Sequence, residues 1–325
     1  MRLIKLALLI SIPCIFFATK LSHAQSWPDR PVKVIVPYAP GGGVDPVARL
    51  VSLKLAELWK QPVVVENKAG GSGTIGANFV AKAPSDGLTI LMSATAEVVI
   101  NQHFMQKMAY NPDVDLKPVT LLVKLPFVLV TNPSKPYSNA IELIAYAKKN
   151  PNVVTYASSG PGTPQHLAAV MLEDQADIKL VHVPYKGVAP SVSDLIAGHV
   201  DVGFAGLPTA LPHIKSGALK ALGLSSKLPS PAAPSIPPLA KTPGLQNFDL
   251  TQWFGVYVPS GTPNVICQKI QRDIVDVLKM PEVKDALLKQ GAQPGQMSMS
   301  EFQAFSASES KKFEAIVKSA KIEQN

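Results

Sequence analysis

Val32-Lys-Val-Ile-Val-Pro-Tyr-Ala-Pro-Gly-Gly-Gly-Val-Asp-Pro46 runs from a β-branched stretch, through three glycines, into what reads as a helix start. Val32–Val36 is predicted to be a buried strand. Behind Asp45 the apolar residues Val47, Leu50, Val51, Leu55 and Leu58 recur at helical spacing. Asp45 is the expected N-cap, and Pro46 suits the first helical position. A strand, a glycine turn and a helix in that order make the first half of a βαβ unit. The helix start presents unpaired N–H groups with a partial positive charge, and glycine lets a ligand come close to the backbone.

The same unit recurs along the chain. Val63–Glu66 reads as a strand, and Gly70-Gly-Ser-Gly-Thr-Ile-Gly76 opens a short helix to about Lys82. Leu88–Ser93 is a third strand. Val153–Ser158 runs into Ser159-Gly-Pro-Gly162, and Thr163-Pro164 caps a helix through about Glu173. Leu180–Pro184, Tyr185-Lys-Gly187, a helix over Pro190–Ala197 and the strand Val200–Phe204 follow. Strand and helix alternating at this spacing predict an α/β protein with mainly parallel sheets covered on both faces.

Two segments interrupt the alternation alike. Leu125-Pro-Phe-Val-Leu-Val-Thr-Asn-Pro-Ser-Lys-Pro136 precedes a helix from about Asn139 to Lys149. Phe254-Gly-Val-Tyr-Val-Pro-Ser-Gly-Thr-Pro263 precedes one from about Asn264 to Leu278. Both read as alternating strands with prolines in the turns beyond. They are either two crossings between lobes, which makes one lobe discontinuous, or two ordinary edge strands. On the first reading lobe 1 is 25–125 plus 255–325 and lobe 2 is 126–254. Between Leu228 and Pro243 six prolines (Pro229, Pro231, Pro234, Pro237, Pro238 and Pro243) predict a semi-rigid extended surface connector. Near the C-terminus Ser300-Glu-Phe-Gln303 has a capping-box pattern, and Phe302, Phe305, Phe313, Ile316 and Val317 supply an apolar helix side.

At 325 residues, 46% hydrophobic and 17% charged, the chain is long enough for two packed lobes. Residues 1–24 read as a secretory signal. Arg2 and Lys5 form its basic start, Leu6 to Ala18 is almost wholly apolar, and Ser22-His23-Ala24 supplies the small residues of a cleavage site. Cleavage near Ala24 removes Arg2, Lys5 and Lys20, so the formal charge of +8 falls by three. What remains is mildly basic, without the clustered Lys/Arg or interleaved aromatics of a nucleic-acid binder. Of the two cysteines Cys14 lies in the signal, so Cys267 has no intrachain partner and the exported chain folds on its core alone. Pro13 stands where a lipoprotein signal has a small residue.

No tight catalytic or metal-binding spacing appears. Gly70-Gly-Ser-Gly-Thr74 misses a nucleophile elbow at its last position. Ser158 and Ser159 precede Gly160, with no acid–histidine partner assignable, so an exported hydrolase survives only as an alternative. His103, His166, His182, His199 and His213 lack the pairing of a zinc site, and no metal is expected. His166, in the first turn of the Thr163 helix, either contacts a ligand or caps. Lys186 is either a counter-charge or a solvated loop residue. Gly71-Ser-Gly-Thr-Ile-Gly76 matches a dinucleotide fingerprint, with Glu97 about twenty residues on. However, Asn67–Gly70 lengthens the turn before it, and an exported chain is away from the nicotinamide pool. A dinucleotide oxidoreductase is therefore the weaker alternative, and no cofactor is expected. Three glycine turns at carboxyl ends of parallel strands instead predict one cleft lined by amide donors, with an anion as guest.

Trp27-Pro-Asp-Arg-Pro31, Val36-Pro-Tyr-Ala-Pro-Gly-Gly-Gly-Val-Asp45, Ala83-Pro-Ser-Asp-Gly87 and His182-Val-Pro-Tyr-Lys-Gly-Val-Ala-Pro190, in that order along essentially the whole mature chain, resemble the motifs of the solute receptors of tripartite tricarboxylate transporters, the Bug family. The resemblance extends to Val63-Val-Val-Glu-Asn67, Ile75-Gly76, Tyr156-Ala-Ser158 with His166-Leu167, Leu211-Pro-His-Ile214 and Pro259-Ser-Gly-Thr-Pro263. It implies a type II-like, Venus-flytrap periplasmic binding protein rather than an enzyme: a monomeric receptor of two α/β lobes joined by two crossover strands. Such a receptor would close on a small carboxylate and deliver it to the transporter's membrane subunits. By position, Tyr38, Gly42, Gly43 and Asp45 would form the first lobe's loop, and Ser158, Gly160 and Thr163 would face them. Thr95 would line the ligand's side, and His166 joins these as a candidate contact.

Three places depart from the family's pattern. Tyr38 stands for a common Phe, Ser93-Ala-Thr-Ala-Glu97 brings an acid near the mouth, and the Pro-rich connector replaces a Leu-Pro-x-Val-Pro-Thr segment. An inward Glu97 would disfavour a second carboxylate and favour a nitrogen donor on the ligand. A surface Glu97 would sit in a salt bridge.

Overall fold

A computed structural model describes residues 27–41, 43–185 and 187–319. The signal segment 1–24, Gly42 and Lys186 lie outside the described residues. The first elements are β1 (Val32–Val36), α1 (Val44–Trp59), β2 (Val63–Asn67), α2 (Thr74–Ala81) and β3 (Thr89–Ser93). A short α3 (Pro112–Asp115) leads into β4 (Leu116–Thr131), followed by α4 (Ala140–Lys149) and β5 (Thr155–Ser158). Then come α5 (Pro164–Ala176), β6 (Val181–Pro184), α6 (Val188–Ala197), β7 (Val202–Gly206), α7 (Leu207–Lys215) and β8 (Lys220–Leu224). The chain returns through β9 (Thr251–Pro259), α8 (Asn264–Lys279), α9 (Pro281–Lys289), β10 (Gln293–Pro294) and α10 (Met299–Ser319).

β1 sits between β2 and β3, parallel to both. Covered on both faces, its four apolar residues are fully buried, as a continuous β-branched run requires. A second parallel set places β5 between β6 and β7. Antiparallel strands join the two sets. β9 pairs with β3, and β4 pairs with β9 up to Pro126 and with β7 and β8 from Phe127 onward. The fold is thus two-lobed α/β, and β4 passes from one lobe's sheet into the other's.

β4 and β9 do not alternate in burial as their sequences suggest. β4 is 16 residues long, starting nine residues before the expected strand, and nearly all of it is buried. Both faces are covered. Val119, Leu122, Phe254, Val256 and Val258 join the core under α1 and α8, while Leu121, Trp253 and Tyr257 join the core under α10. Gly255 is required here, since a Cβ would come within 2.4 Å of the Phe302 ring.

Three local expectations are corrected. Gly43, not Asp45, is the N-cap of α1, because the Asp45 carboxylate accepts the Gly41 N–H (3.0 Å) and binds Arg49 Nε (2.9 Å). The capping box of α10 is Ser298–Glu301, two residues early. The Glu301 carboxylate accepts the Ser298 N–H, and Ser298 Oγ accepts the Glu301 N–H. The proline-rich segment is neither extended nor superficial. Ala233, Ile236 and Leu239 are buried, a 3-10 turn spans Leu239–Lys241, and the Leu224 N–H donates to the Pro237 carbonyl. Prolines without N–H groups cannot build a ladder, so buried side chains fasten this segment.

Candidate functional site

The loops at the carboxyl ends of the two parallel sets meet around a cavity of about 260 Å³. From the first lobe come Tyr38, Gly43 and Val44 before and in α1, Ser72 before α2, and Ala94, Thr95, Ala96, Asn101 and Phe104 after β3. Opposite stand Ser159, Pro161, Gly162, Thr163, Pro164 and Gln165 around the start of α5, with Val188 at the start of α6 and Gln252 on β9. Among the described residues no Asp, Glu, Lys, Arg or His lines this wall.

Each loop is shaped by bonds behind it. Asp45, 4% exposed, holds Gly41, Arg49 and the Asn67 side chain together, and Asn67 also donates to the Tyr38 carbonyl (2.9 Å). The Arg49 hydrogen bond holds the Asp45 carboxyl down at about 2, against some desolvation. Thr95 locks β9 in place, its Oγ1 donating to the Trp253 carbonyl (3.1 Å) and accepting the Trp253 N–H (3.2 Å). Thr163 occupies the N-cap position of α5, but its hydroxyl turns back to the Gly160 carbonyl (2.7 Å) instead of capping the helix. Gly162, at φ +73, faces the Phe104 ring, which an added Cβ would approach to 3.0 Å.

Behind α5's first turn lies a stack of rings. His166 and His182 are 4.2 Å apart, and Tyr156 lies 4.8 Å beyond His182. His166 Nδ1 accepts the Gly162 N–H (3.0 Å), so the ring is neutral there. Burial, then the neighbouring His182, pushes its pKa down to about 4. Ser158 Oγ lies 2.6 Å from His182 Nε2, the pairing a hydrolase would need. Yet Ser158 is only 1% exposed, and among the described residues no carboxylate is bonded to His182.

The candidates therefore divide by position. Tyr38, Gly43, Thr95 and Thr163 are brought together on the wall. Asp45, Ser158, Gly160 and His166 stand behind it as supports of the loops. Ser72, Asn101, Phe104, Gln165 and Gln252 line the cavity without having been singled out in the sequence. Ser72 lies in a turn already marked by glycines, and Gln165 in the first turn of α5 just after one. Gln252 reaches the wall through the crossing of β9, which no local pattern reveals. Ser159 donates to Gln165 Oε1 (3.0 Å), leaving the Gln165 amide N–H groups for a guest.

Glu97 fits neither expectation for it. It is fully buried, with Oε2 2.6 Å from the Tyr38 hydroxyl and Oε1 accepting the Ala94 N–H (2.7 Å). It neither lines the cavity nor pairs with a cation on the surface. The Gly71–Gly73 turn of the dinucleotide-like motif closes over it. A Cβ on Gly73 would meet Glu97 Oε2 at 2.9 Å, and one on Gly76 would meet Pro37 at 2.7 Å. These glycines serve packing within the lobe.

What the arrangement offers chemically is amide donors. The first turns of α1, α5 and α6 all start at the cavity, and first-turn N–H groups have no acceptor within their own helix. Around them the wall is largely apolar, from Val44, Ala94, Ala96, Phe104, Pro161 and Val188.

A family model described as "Tripartite tricarboxylate transporter family receptor" matches residues 47–322. Protein BugT of Bordetella pertussis is 34% identical over 296 residues, covering 91% of this chain and 90% of BugT. Among solved structures, Rhodopseudomonas palustris Rpa4515 with adipate superposes with a TM-score of 0.81 at 31% identity, covering 91% of this chain and 99% of that one. MatC of the same organism, with bound malate, gives 0.76 at 29% identity, covering 90% and 100%.

Proposed function

Since the chain belongs to the tripartite tricarboxylate transporter receptor family, and is related to the Bug proteins, we propose that it is a periplasmic receptor that captures a small carboxylate between its lobes. The observation that carries this reading is three helix starts converging on one cavity whose wall, among the described residues, has no charged side chain. A carboxylate bound there takes its hydrogen bonds from backbone N–H groups, helped by the positive ends of three helices. Each such charge-assisted bond contributes roughly 1.5–3 kcal/mol net. Four of them, less the cost of association, reach about the −8 kcal/mol of a micromolar complex. The apolar share of the wall suits a ligand with a hydrocarbon body.

In this reading Tyr38, Gly42, Gly43, Thr95 and Thr163 contact the ligand, and Asp45, Ser158, Gly160 and His166 hold the contacting loops. Lobe 1 comprises 25–125 with 255–325, and lobe 2 comprises 126–254. The change of β4's partners between Pro126 and Phe127 supports that boundary. Signal cleavage near Ala24 releases a monomer that closes on its ligand and presents it to the membrane subunits. Two lobes with a shared strand pair suit such a hinge, and ligand binding shifts the open–closed equilibrium.

The test is calorimetric titration of the mature protein with adipate, malate, amino acids and nicotinamide nucleotides. Micromolar binding of a carboxylate, with no response to nucleotides, is the expected result. Binding of a nucleotide alone would overturn the reading.

A further inference from the structure

Glu97 is the second residue of a π-helical turn, Ala96–Ile100, immediately behind the wall residues Ala94, Thr95 and Ala96. It is fully buried. Its two carboxyl oxygens meet the Ala94 N–H and the Tyr38 hydroxyl, and the Tyr110 hydroxyl donates to its backbone carbonyl (2.5 Å). The elements packed on this turn carry charges, but among the described residues none is ion-paired with Glu97. Tyr38, Tyr110 and Tyr257 are the titratable groups that interact with it. The following turn carries His103, and α3 carries Asp113 and Asp115. On α10 are Glu301, Glu309, Lys311, Lys312, Glu314 and Lys318, of which Lys312 pairs with Glu309 and Lys318 with Glu314. The turn before α2 and α2 itself bring none. A carboxylate buried without a counter-charge is costly, and accepting a proton relieves it.

We propose that Glu97 is a positioning residue that, by carrying a proton, turns the Tyr38 hydroxyl into a donor for an anionic guest. This rests on the reading of the cavity as a carboxylate site. When Glu97 is ionised, the single Tyr38 proton lies on the line from Oη to Oε2, and an anion in the cavity meets an oxygen lone pair and a buried negative charge. When Glu97 is protonated, its Oε2–H donates to Tyr38 Oη, and the Tyr38 O–H is released toward the cavity. The proton comes from water, so an ionised receptor takes up one proton for each anion it binds. Tyr38 lines the cavity, and through it a group out of contact with the ligand senses the ligand's charge.

Burial pushes the Glu97 carboxyl up to about 8, against the pull of its hydrogen bonds to Tyr38 and Ala94. Affinity is therefore full below that pH and weakens as the pH rises through it, by up to about tenfold per unit. The experiment is calorimetric titration with adipate and malate from pH 6 to 9, in two buffers of different ionisation enthalpy. The wild type is expected to bind evenly from pH 6 to 7.5 and about tenfold more weakly at pH 9, with proton uptake approaching one at the upper end. Glu97→Gln, whose amide donates to Tyr38 Oη at every pH, is expected to give a flat profile. Tyr38→Phe is expected to be flat and weaker. An unchanged pH slope in Glu97→Gln, or zero proton uptake by the wild type at pH 9, overturns the inference. The wild-type uptake decides alone if the variant does not fold. Absence of carboxylate binding at every pH is a different failure, that of the carboxylate reading itself, and takes this inference with it.

Discussion

Asp45, in the first turn of α1, serves the loop before the helix rather than capping the helix itself. Its carboxylate accepts from Gly41, Arg49 and Asn67, so Asp45→Ala is expected to cost about 1–3 kcal/mol in urea unfolding and to weaken ligand binding by loosening the Tyr38 loop. Its carboxyl is held below the ordinary range, so the contribution is complete above pH about 4 and is lost as the pH falls toward 2. His166 has the opposite chemistry. Its folded pKa lies below the ordinary histidine value, so the unfolded chain takes up the proton first. Stability should fall as the pH drops from about 6.5 to 4, by at most about 3 kcal/mol from this group, and level off below. His182 is shifted the same way and adds to the slope. Melting temperature against pH, compared with His166→Gln, checks this: the variant should have the shallower slope.

Some helix starts are capped by a side chain, and three of the uncapped ones open on the cavity. α4 is capped by Asn139, whose side chain accepts the Glu142 N–H, and α10 by the Ser298–Glu301 box. Both lie away from the cavity wall. α1, α5 and α6 have no side-chain cap, and all three begin at that wall. Ser298→Ala should therefore cost about 1 kcal/mol of stability and leave carboxylate affinity where it was, measured by melting and by titration. Gly162→Ala should lower both. The residue is left-handed, which alone costs about 1–2 kcal/mol for a side chain, and the new methyl would displace Phe104 from the cavity wall.

At the scale of the molecule, β4 joins the two sheets and, with β9 beside it, carries the core. α10 lies across this junction, packing on β4, on the turn behind the cavity and on α5. Its Phe302 fits against Trp253, Tyr257 and Gly255. Phe302→Ala should cost about 3–5 kcal/mol and broaden the unfolding transition as the lobes uncouple. Ligand at a hundred times its dissociation constant should raise stability by about 2.7 kcal/mol. If binding closes the lobes, small-angle scattering should show a smaller radius of gyration with ligand than without, and an unchanged radius would argue against closure.

The sequence by itself determined the α/β class, the two parallel sets and the loops that line the cavity. The signals for all of these are local ones: a β-branched run, a glycine turn, apolar residues at helical spacing, repeated along the chain. Tyr38, Gly43, Thr95 and Thr163 were legible by position from the family resemblance, and all four line the cavity. Gln252 and Phe104 were not, since what brings them to the wall is the pairing of β9 with β3 and β4 and the packing of the chain after β3. The proline-rich segment misled because its turn residues are local while the burial of Ala233, Ile236 and Leu239 is not. Glu97 is the sharpest case. Its sequence neighbours say only that an acid follows a strand, and whether that acid meets water, a cation or a tyrosine was decided by Tyr38, 59 residues earlier in the chain. Desolvation is a property of everything packed around a group, and only the tertiary structure supplies it.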